Sequence, residues 1–91
     1  FAFNVFEAAM LTRMVADQCG LHAHELVWTG GDVHLYLNHA ELVEQQLGRI
    51  PDGAPKLRIL RRPDSIFGYN FDDFWVEDYA PQAHISAPVA V

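Results

Sequence analysis

The sequence predicts an α+β fold in which one long helix packs against a layer of β-strands. Residues 5–19 carry apolar side chains at helical spacing, whereas residues 32–38 alternate polar and apolar side chains as strands do. Two further segments, residues 57–60 and the aromatic-rich stretch that ends at residues 74–76, are candidates for short strands. The resulting order of helix, strands, helix and strands favours layered α+β packing over a doubly wound sheet.

The first predicted helix, over residues 5–19, has sequence signals at both ends. Asn4 is a favourable N-cap residue, and Glu7 follows three residues later as in a capping box. Gly20 is a common residue just beyond the C-terminus of a helix. The apolar positions nearly encircle the helix, so we expect it to be buried. These positions are Phe6, Ala8, Met10, Leu11, Met14 and Val15.

The rest of the chain divides into short elements. A glycine pair separates a short predicted strand, residues 26–28, from the longer alternating strand. Asn38, followed by Glu41, predicts the start of a second helix that ends near Leu47. After a loop rich in proline and glycine and the two candidate strands, residues 79–91 show no period and predict an extended tail.

Composition restricts the classes of function. The chain has 91 residues, with 12 acidic and 6 basic side chains and a formal net charge of −6, which disfavours binding to nucleic acid such as DNA. We interpret a local basic cluster as the outer face of a strand and its turn. No apolar run approaches the ~20 residues of a membrane span, and we expect a cytoplasmic protein. The cluster consists of Lys56, Arg58, Arg61 and Arg62.

The alternating segment, residues 32–38, offers the strongest candidate for binding chemistry. His34 and Tyr36 would point to the same face of a strand, about 7 Å apart, together with Asp32. An imidazole and a phenol at this spacing can hydrogen-bond to adjacent sugar hydroxyls, which need directional donors and acceptors. The same alternation is typical of the solvated face of an antiparallel strand, and the pattern alone leaves both interpretations open.

Four other polar side chains have potential chemistry. The carboxamide of Asn4 complements an imide edge such as that of uracil, although a helix N-cap would use the same side chain. Cys19 is the only cysteine and lies at the C-terminal end of the first helix, where the helix dipole disfavours a thiolate. We therefore interpret it as a buried, inert thiol. His22 and His24 have no further ligands at metal-binding spacing, so we interpret them as part of a polar loop and expect no metal site.

Five parts of the sequence resemble landmarks of the thymidylate synthase family, in the same order and at matching spacing. The longest is residues 28–39, in which Trp-Thr-Gly-Gly-Asp is followed by His-x-Tyr-x-Asn-His. The others are Phe3-Asn4, Pro55-Lys56-Leu57, the pair Ser65-Ile66-Phe67 and Asp72-Asp73-Phe74, and the final Ala87-Pro88-Val89-Ala90-Val91. The resemblance covers the chain and implies that residues 1–91 form the C-terminal part of a thymidylate synthase domain. It further implies a mixed sheet packed against a long buried helix.

The resemblance also implies a reaction and a set of ligand contacts. Thymidylate synthases methylate dUMP at C5 and use 5,10-methylenetetrahydrofolate as both one-carbon donor and reductant. By this analogy, Asn4 would contact the imide edge of uracil, and the deoxyribose would lie against His34, Leu35 and Tyr36. The implied folate contacts are Phe3, Val89, Ala90 and Val91, the last through its carboxylate. The family implies a homodimer.

The sequence departs from the family pattern in several places. The Pro-Cys-His nucleophile segment and the phosphate-binding arginines do not occur in these 91 residues, so we predict that the chain alone is inactive. Ala2, Phe6 and Glu7 replace residues usual in the family, and residues 79–83 differ from its Tyr-Asp-Pro-His-Pro. These departures leave two alternatives open: a deoxyuridylate hydroxymethyltransferase, and a non-catalytic remnant or interaction module.

Overall fold

The computed structural model describes residues 1–89, and Ala90 and Val91 lie outside the described residues. The described residues form an α+β fold with two α-helices and a two-stranded antiparallel sheet. The helices are α1, Ala2–Cys19, and α2, Ala40–Leu47, and the strands are β1, Lys56–Ile59, and β2, Phe74–Glu77. Short 3₁₀-helices occur at Leu37–His39, Ile66–Gly68 and Phe71–Asp73. No helix formed by residues 1–89 has both the length and the apolar character that crossing a membrane requires.

Helix α1 begins three residues before its predicted start. The Phe1 carbonyl accepts a hydrogen bond from the Val5 N–H at 3.1 Å, so the first helical turn already includes Asn4. Phe1 is therefore the N-cap residue, and the prediction that Asn4 caps the helix is wrong. At the other end Gly20 adopts a left-handed conformation with φ of 66°, and the Leu21 N–H donates to the Ala16 carbonyl, five residues back, so the helix ends where the sequence predicted.

The apolar surface of α1 is largely uncovered in the described part of the chain. Ala16 is the one buried residue of the helix, whereas Phe3 is 75% exposed and Phe6 is about half exposed, at 48%. The burial predicted for α1 is therefore not observed within residues 1–89. Cys19 is also exposed, which makes its predicted burial wrong, although it does lie in the last position of the helix.

The segment between the two helices contains no strand. Residues 20–36 form neither helix nor strand, so the strands predicted at residues 26–28 and 32–38 are absent from the described structure. A strand requires a neighbour for its backbone hydrogen bonds, and residues 22–35 find no backbone partner among the described residues. The second helix is confirmed, but a 3₁₀ turn precedes it, so His39 rather than Asn38 is its N-cap.

The two strands predicted near the end of the chain are confirmed, and they pair with each other. Lys56 lies opposite Glu77 and Ile59 lies opposite Phe74. On one face the cross-strand pairs are apolar and half-buried, whereas Lys56 and Arg58 lie on the exposed face. Arg58 donates a hydrogen bond to Glu77 there, at 2.8 Å. These two members of the basic cluster therefore form the outer face of a strand, as predicted.

A polar network joins the end of α1 to the segment before β2. The Tyr69 hydroxyl donates to the Asp17 carboxylate at 2.6 Å, and burial, followed by this bond, raises the pKa of Tyr69. The Gln18 amide donates to the Pro63 carbonyl at 2.9 Å. Arg62 donates in turn to the Gln18 carbonyl at 2.8 Å. The network fixes α1 beside the hairpin despite the small apolar core.

An ion pair between the buried Asp73 carboxylate and the half-exposed Arg61 guanidinium supports the hairpin itself. Arg61 donates from Nε to the Asp73 carboxylate at 2.7 Å and from its terminal nitrogen to the second carboxylate oxygen. The Asn70 N–H also donates to Asp73, at 2.7 Å, and Arg61 reaches the Gly68 carbonyl at 2.8 Å. The side-chain bonds from Arg61 and the backbone bond from Asn70 lower the pKa of Asp73. All polar partners of this buried carboxylate therefore favour its charged form.

Candidate functional site

Three ring side chains, His34, Tyr36 and His39, form a continuous aromatic row. The ring centroids of His34 and Tyr36 lie 5.1 Å apart at an interplanar angle of 85°. Those of Tyr36 and His39 lie 5.6 Å apart at 81°. Both geometries are edge-to-face, which aromatic rings prefer. The structure therefore brings together His34 and Tyr36, which the sequence predicted to act together, and adds His39 to them.

Local backbone geometry explains the row without a strand. Tyr36 has φ of −71° and ψ of 140°, an extended backbone conformation outside any strand, and its ring meets that of His34. The following 3₁₀ turn is closed by a hydrogen bond from the His39 N–H to the Tyr36 carbonyl at 2.9 Å. Because side chains three residues apart eclipse in a 3₁₀-helix, this turn returns the ring of His39 to Tyr36.

The aromatic row presents polar atoms to its surroundings. Tyr36 is 50% exposed, and the side chain of His34 is 56% exposed. His34 Nδ1 lies 3.2 Å from the Asp32 carboxylate, which favours the tautomer with hydrogen on Nδ1 and leaves Nε2 as an acceptor. Leu35, between the two rings in sequence, is also half-exposed. The row can therefore offer both a hydrogen-bond acceptor and a hydroxyl to a ligand.

The C-terminal tail returns to this row. After β2 it runs beside the loop that follows α2, where Gln82 donates to the Ile50 carbonyl at 2.8 Å. Arg49 donates to the Ala83 carbonyl at 2.7 Å. Farther along, the Pro88 carbonyl lies 2.7 Å from His39 Nε2. The tail is thereby held at two places, and the second of them is the aromatic row.

Asn4 and Phe3 lie in the first turns of α1, apart from the row. Asn4 lines a cavity of about 190 Å³ together with Phe1 and Trp28, whose rings meet edge-on at 4.9 Å. No described hydrogen bond engages the Asn4 side chain or joins it to the aromatic row. Its carboxamide is consequently available to a ligand that enters this cavity. Phe3 is exposed on the helix surface.

Other candidate residues have simpler surroundings. Val89 is 86% exposed at the end of the described tail, whereas the predicted folate contacts Ala90 and Val91 lie outside the described residues. Within residues 1–89 no three acidic, histidine or cysteine side chains are grouped to hold a metal ion. His22 lies in the irregular segment after α1.

Sequence reasoning missed His39 as a member of the site. It occupies the last position of the His-x-Tyr-x-Asn-His motif, three residues after Tyr36. A 3₁₀ turn at this point would have predicted its return to Tyr36, but the strand expected over residues 32–38 points position 39 to the opposite face.

Comparison with known proteins identifies the family. The family model described as thymidylate synthase matches residues 1–91. The chain belongs to the thymidylate synthase family. Two curated relatives named thymidylate synthase support the assignment. The protein from Sphingopyxis alaskensis is 84% identical over 91 residues, and the protein from Novosphingobium aromaticivorans is 66% identical over 89 residues.

The alignments with these two thymidylate synthases cover nearly all of this chain but only a small part of each relative. The alignments include 100% and 98% of this chain, but 29% and 28% of the two relatives. The chain thus spans less than a third of the length of these thymidylate synthases. The resemblance seen in five parts of the sequence is confirmed, and it extends over all 91 residues.

Proposed function

We propose that residues 1–91 are the C-terminal part of a thymidylate synthase domain that converts dUMP to dTMP by reductive methylation. The carbon donor and reductant is 5,10-methylenetetrahydrofolate, acting as a co-substrate. The observation that carries this proposal is the pairing of His34 and Tyr36, whose rings meet at 5.1 Å with exposed polar atoms, in a chain of this family.

The paired rings suit the deoxyribose of dUMP. Asp32 holds His34 through Nδ1, so Nε2 can accept a hydrogen bond from a sugar hydroxyl. The Tyr36 hydroxyl can donate to or accept from the same group. Leu35 lines the same surface through its backbone. A hydroxyl bound by two fixed partners is positioned as well as recognised, and this positioning serves the later chemistry at the base.

Asn4 suits the base of dUMP. Its amide oxygen can accept from the N3–H of uracil while its amide nitrogen donates to O4. Cytosine presents the opposite donor and acceptor arrangement, so one carboxamide selects between the two bases. The absence of a described hydrogen bond on this side chain, and its position at the cavity beside Trp28, support this role over a helix cap.

The folate is proposed to contact Phe3 and the tail. Phe3 and Val89 are both strongly exposed in the described chain, as expected for apolar groups that meet a ligand. The proposed contacts continue through Ala90 and Val91. A tail that covers both ligands would exclude water from the site and complete it after binding.

The whole protein is proposed to supply what these residues lack. A cysteine nucleophile and phosphate-binding arginines would come from another part, which is why the 91-residue chain alone should be inactive. There α1 would be buried against a larger, mixed sheet that includes residues 32–38. We further propose a cytoplasmic homodimer that needs neither metal nor nucleic acid. The exposed apolar side chains Val33, Leu35 and Leu37 suit the packing of sheets between its subunits.

Product analysis of the complete protein tests the proposal. With dUMP and 5,10-methylenetetrahydrofolate, we expect dTMP and dihydrofolate in equal amounts, because methylation takes both the carbon and a hydride from the folate. Hydroxymethyl-dUMP with tetrahydrofolate would instead establish the hydroxymethyltransferase, since that reaction ends with addition of water. If neither product forms and dUMP does not bind, the chain belongs to a non-catalytic member of the family.

A further inference from the structure

We propose that His39 is a positioning residue that anchors the C-terminal tail to the nucleotide side of the site. This inference deepens the proposed function and rests on it. Its basis is one polar contact and one ring contact made by the same side chain. His39 Nε2 lies 2.7 Å from the Pro88 carbonyl, and its ring meets the ring of Tyr36 edge-on at 5.6 Å.

The polar contact has a defined direction. A backbone carbonyl only accepts hydrogen bonds, so His39 must donate from Nε2 to Pro88. His39 is half-buried, in contrast to the exposed residues on either side of it, whereas Pro88 and the bond between them are exposed. An asparagine or glutamine side chain could preserve the donor but not the ring, whereas phenylalanine could preserve the ring but not the donor.

The hydrogen bond from His39 to Pro88 holds the last described part of the tail. The anchors at Gln82 and Ala83 hold the start of the tail. From residue 84 to residue 89 the described structure contains a single hydrogen bond, and it is the one from His39 to Pro88. Loss of the His39 donor would therefore free the tail immediately before Val89, the first of its proposed folate contacts.

The ring contact connects this anchor to the nucleotide. Tyr36 touches His34 on one side and His39 on the other. A sugar hydroxyl that fixes the Tyr36 phenol therefore also restricts the ring of His39. Because such coupling is reciprocal, dUMP should favour the docked tail, and the docked tail should favour bound dUMP.

Two substitutions of His39 in the complete protein, to Phe and to Gln, separate the effect of its hydrogen-bond donor from the effect of its ring. His39→Phe keeps a ring against Tyr36 but removes the hydrogen bond to Pro88. We expect it to raise the KM for 5,10-methylenetetrahydrofolate roughly three- to tenfold, as loss of one hydrogen bond would. The ¹⁵N order parameter of the Val89 amide in the dUMP complex should fall, because this amide follows the released Pro88 carbonyl. The Kd of dUMP in the absence of folate should rise by less than about threefold, because the phenylalanine ring still packs against Tyr36 and only the contribution of the docked tail is lost.

His39→Gln and His84→Phe complete the comparison. His39→Gln retains an N–H donor, and we expect it to recover part of the folate KM and of the Val89 order parameter. His84→Phe places the same substitution on an exposed tail residue without a described hydrogen bond and should leave both measurements unchanged.

The outcomes are distinguishable. A wild-type folate KM and a wild-type Val89 order parameter in His39→Phe would overturn the anchor. An equal rise in the dUMP Kd and the folate KM, with a lower unfolding temperature, would also overturn it, because His39 would then only support the fold of the row. If the wild-type protein makes no dTMP, the proposed function fails, but the Val89 order parameters still decide whether His39 holds the tail.

Discussion

At the scale of single residues, Asp73 shows how one buried carboxylate can organise a hairpin. Its two oxygens receive hydrogen bonds from the Arg61 guanidinium and from the Asn70 N–H. Each partner binds the ionised form, so the pKa of Asp73 lies below its usual range. Protonation would leave the Arg61 charge without its partner beside the Gly68 carbonyl.

This carboxylate makes the stability of the complete protein depend on pH. The folded pKa of Asp73 lies below the unfolded value of about 3.9, so its contribution is fully present above roughly pH 5. The contribution is lost as the pH falls through the folded pKa. Asp73→Asn should therefore lower the urea midpoint at pH 7 and flatten the fall of that midpoint in acid. The exposed Asp64→Asn should do neither, and equal acid profiles for the wild type and Asp73→Asn would refute the assignment.

Tyr36 carries the clearest functional prediction at this scale. Tyr36→Phe keeps the ring contacts with His34 and His39 but removes the hydroxyl proposed to bind the deoxyribose. We expect it to weaken dUMP binding by about 1–3 kcal/mol, measured by calorimetry on the complete protein, because a sugar hydroxyl is left unpaired. Tyr79→Phe, at an exposed tyrosine without a described hydrogen bond, is the matched control. An unchanged dUMP Kd in Tyr36→Phe would count against the sugar contact.

At the scale of secondary-structure elements, local sequence patterns predicted the helices and strands that form through contacts within this chain. Helical spacing predicted α1, the pair Asn38 and Glu41 predicted a helix where α2 forms, and Gly20 marked the end of α1 correctly. The strands β1 and β2 were also predicted, and they pair with each other within the chain. Residues 32–38 alternate polar and apolar side chains as a strand does. A strand there would need a neighbouring strand that the described residues do not provide. The alternating pattern therefore cannot show whether a partner strand is present.

The pairing of His34 and Tyr36 in the candidate site was predicted from the sequence, whereas the contacts of His39 were not. Alternation predicted that His34 and Tyr36 lie together, and their rings do meet although no strand forms there. The contribution of His39 required knowledge of a 3₁₀ turn, and the contact with Pro88 spans 49 residues of sequence. The capping role expected for Asn4 failed because helical hydrogen bonding begins at the Phe1 carbonyl.

The glycine pair before the aromatic row gives a prediction at this scale. A Cβ at Gly30 would lie 2.5 Å from Trp28 Cη2 and closer still to Val33, whereas a Cβ at Gly31 would meet nothing within 4 Å. Gly30→Ala should displace Trp28 and destabilise the complete protein by about 1–3 kcal/mol. Gly31→Ala should stay within about 0.5 kcal/mol of wild type. Chemical denaturation of both variants checks this, and equal stabilities would show that Trp28 moves aside without cost.

At the scale of the whole molecule, the chain is more extended than a compact domain. Its radius of gyration is 16.6 Å, whereas a compact domain of this length has about 12 Å. Large apolar side chains such as Phe3, Leu37 and Phe67 are exposed. Since the chain spans 29% of its relative from Sphingopyxis alaskensis, we propose that the rest of the protein covers these surfaces.

The position of the catalytic cysteine nucleophile also concerns the whole molecule. Cys19 is exposed at the C-terminal end of α1, where the helix dipole opposes a thiolate. Cys19→Ser in the complete protein should keep the kcat for dTMP formation within about twofold, because a serine in this exposed position is nearly isosteric. Steady-state kinetics with saturating dUMP and folate measure this. A loss of several orders of magnitude would place the nucleophile in this chain instead.

The attachment of the tail also sets how often its end meets the ligands. Pro88 lies two residues before Ala90, whereas Ala83, the previous attachment point, lies seven residues before it. Effective concentration falls roughly as the −3/2 power of tether length, so release at His39 would dilute Ala90 near the row by about sixfold. If the proposed anchor holds the tail, a single imidazole would control the local concentration of the proposed folate contacts without touching either ligand.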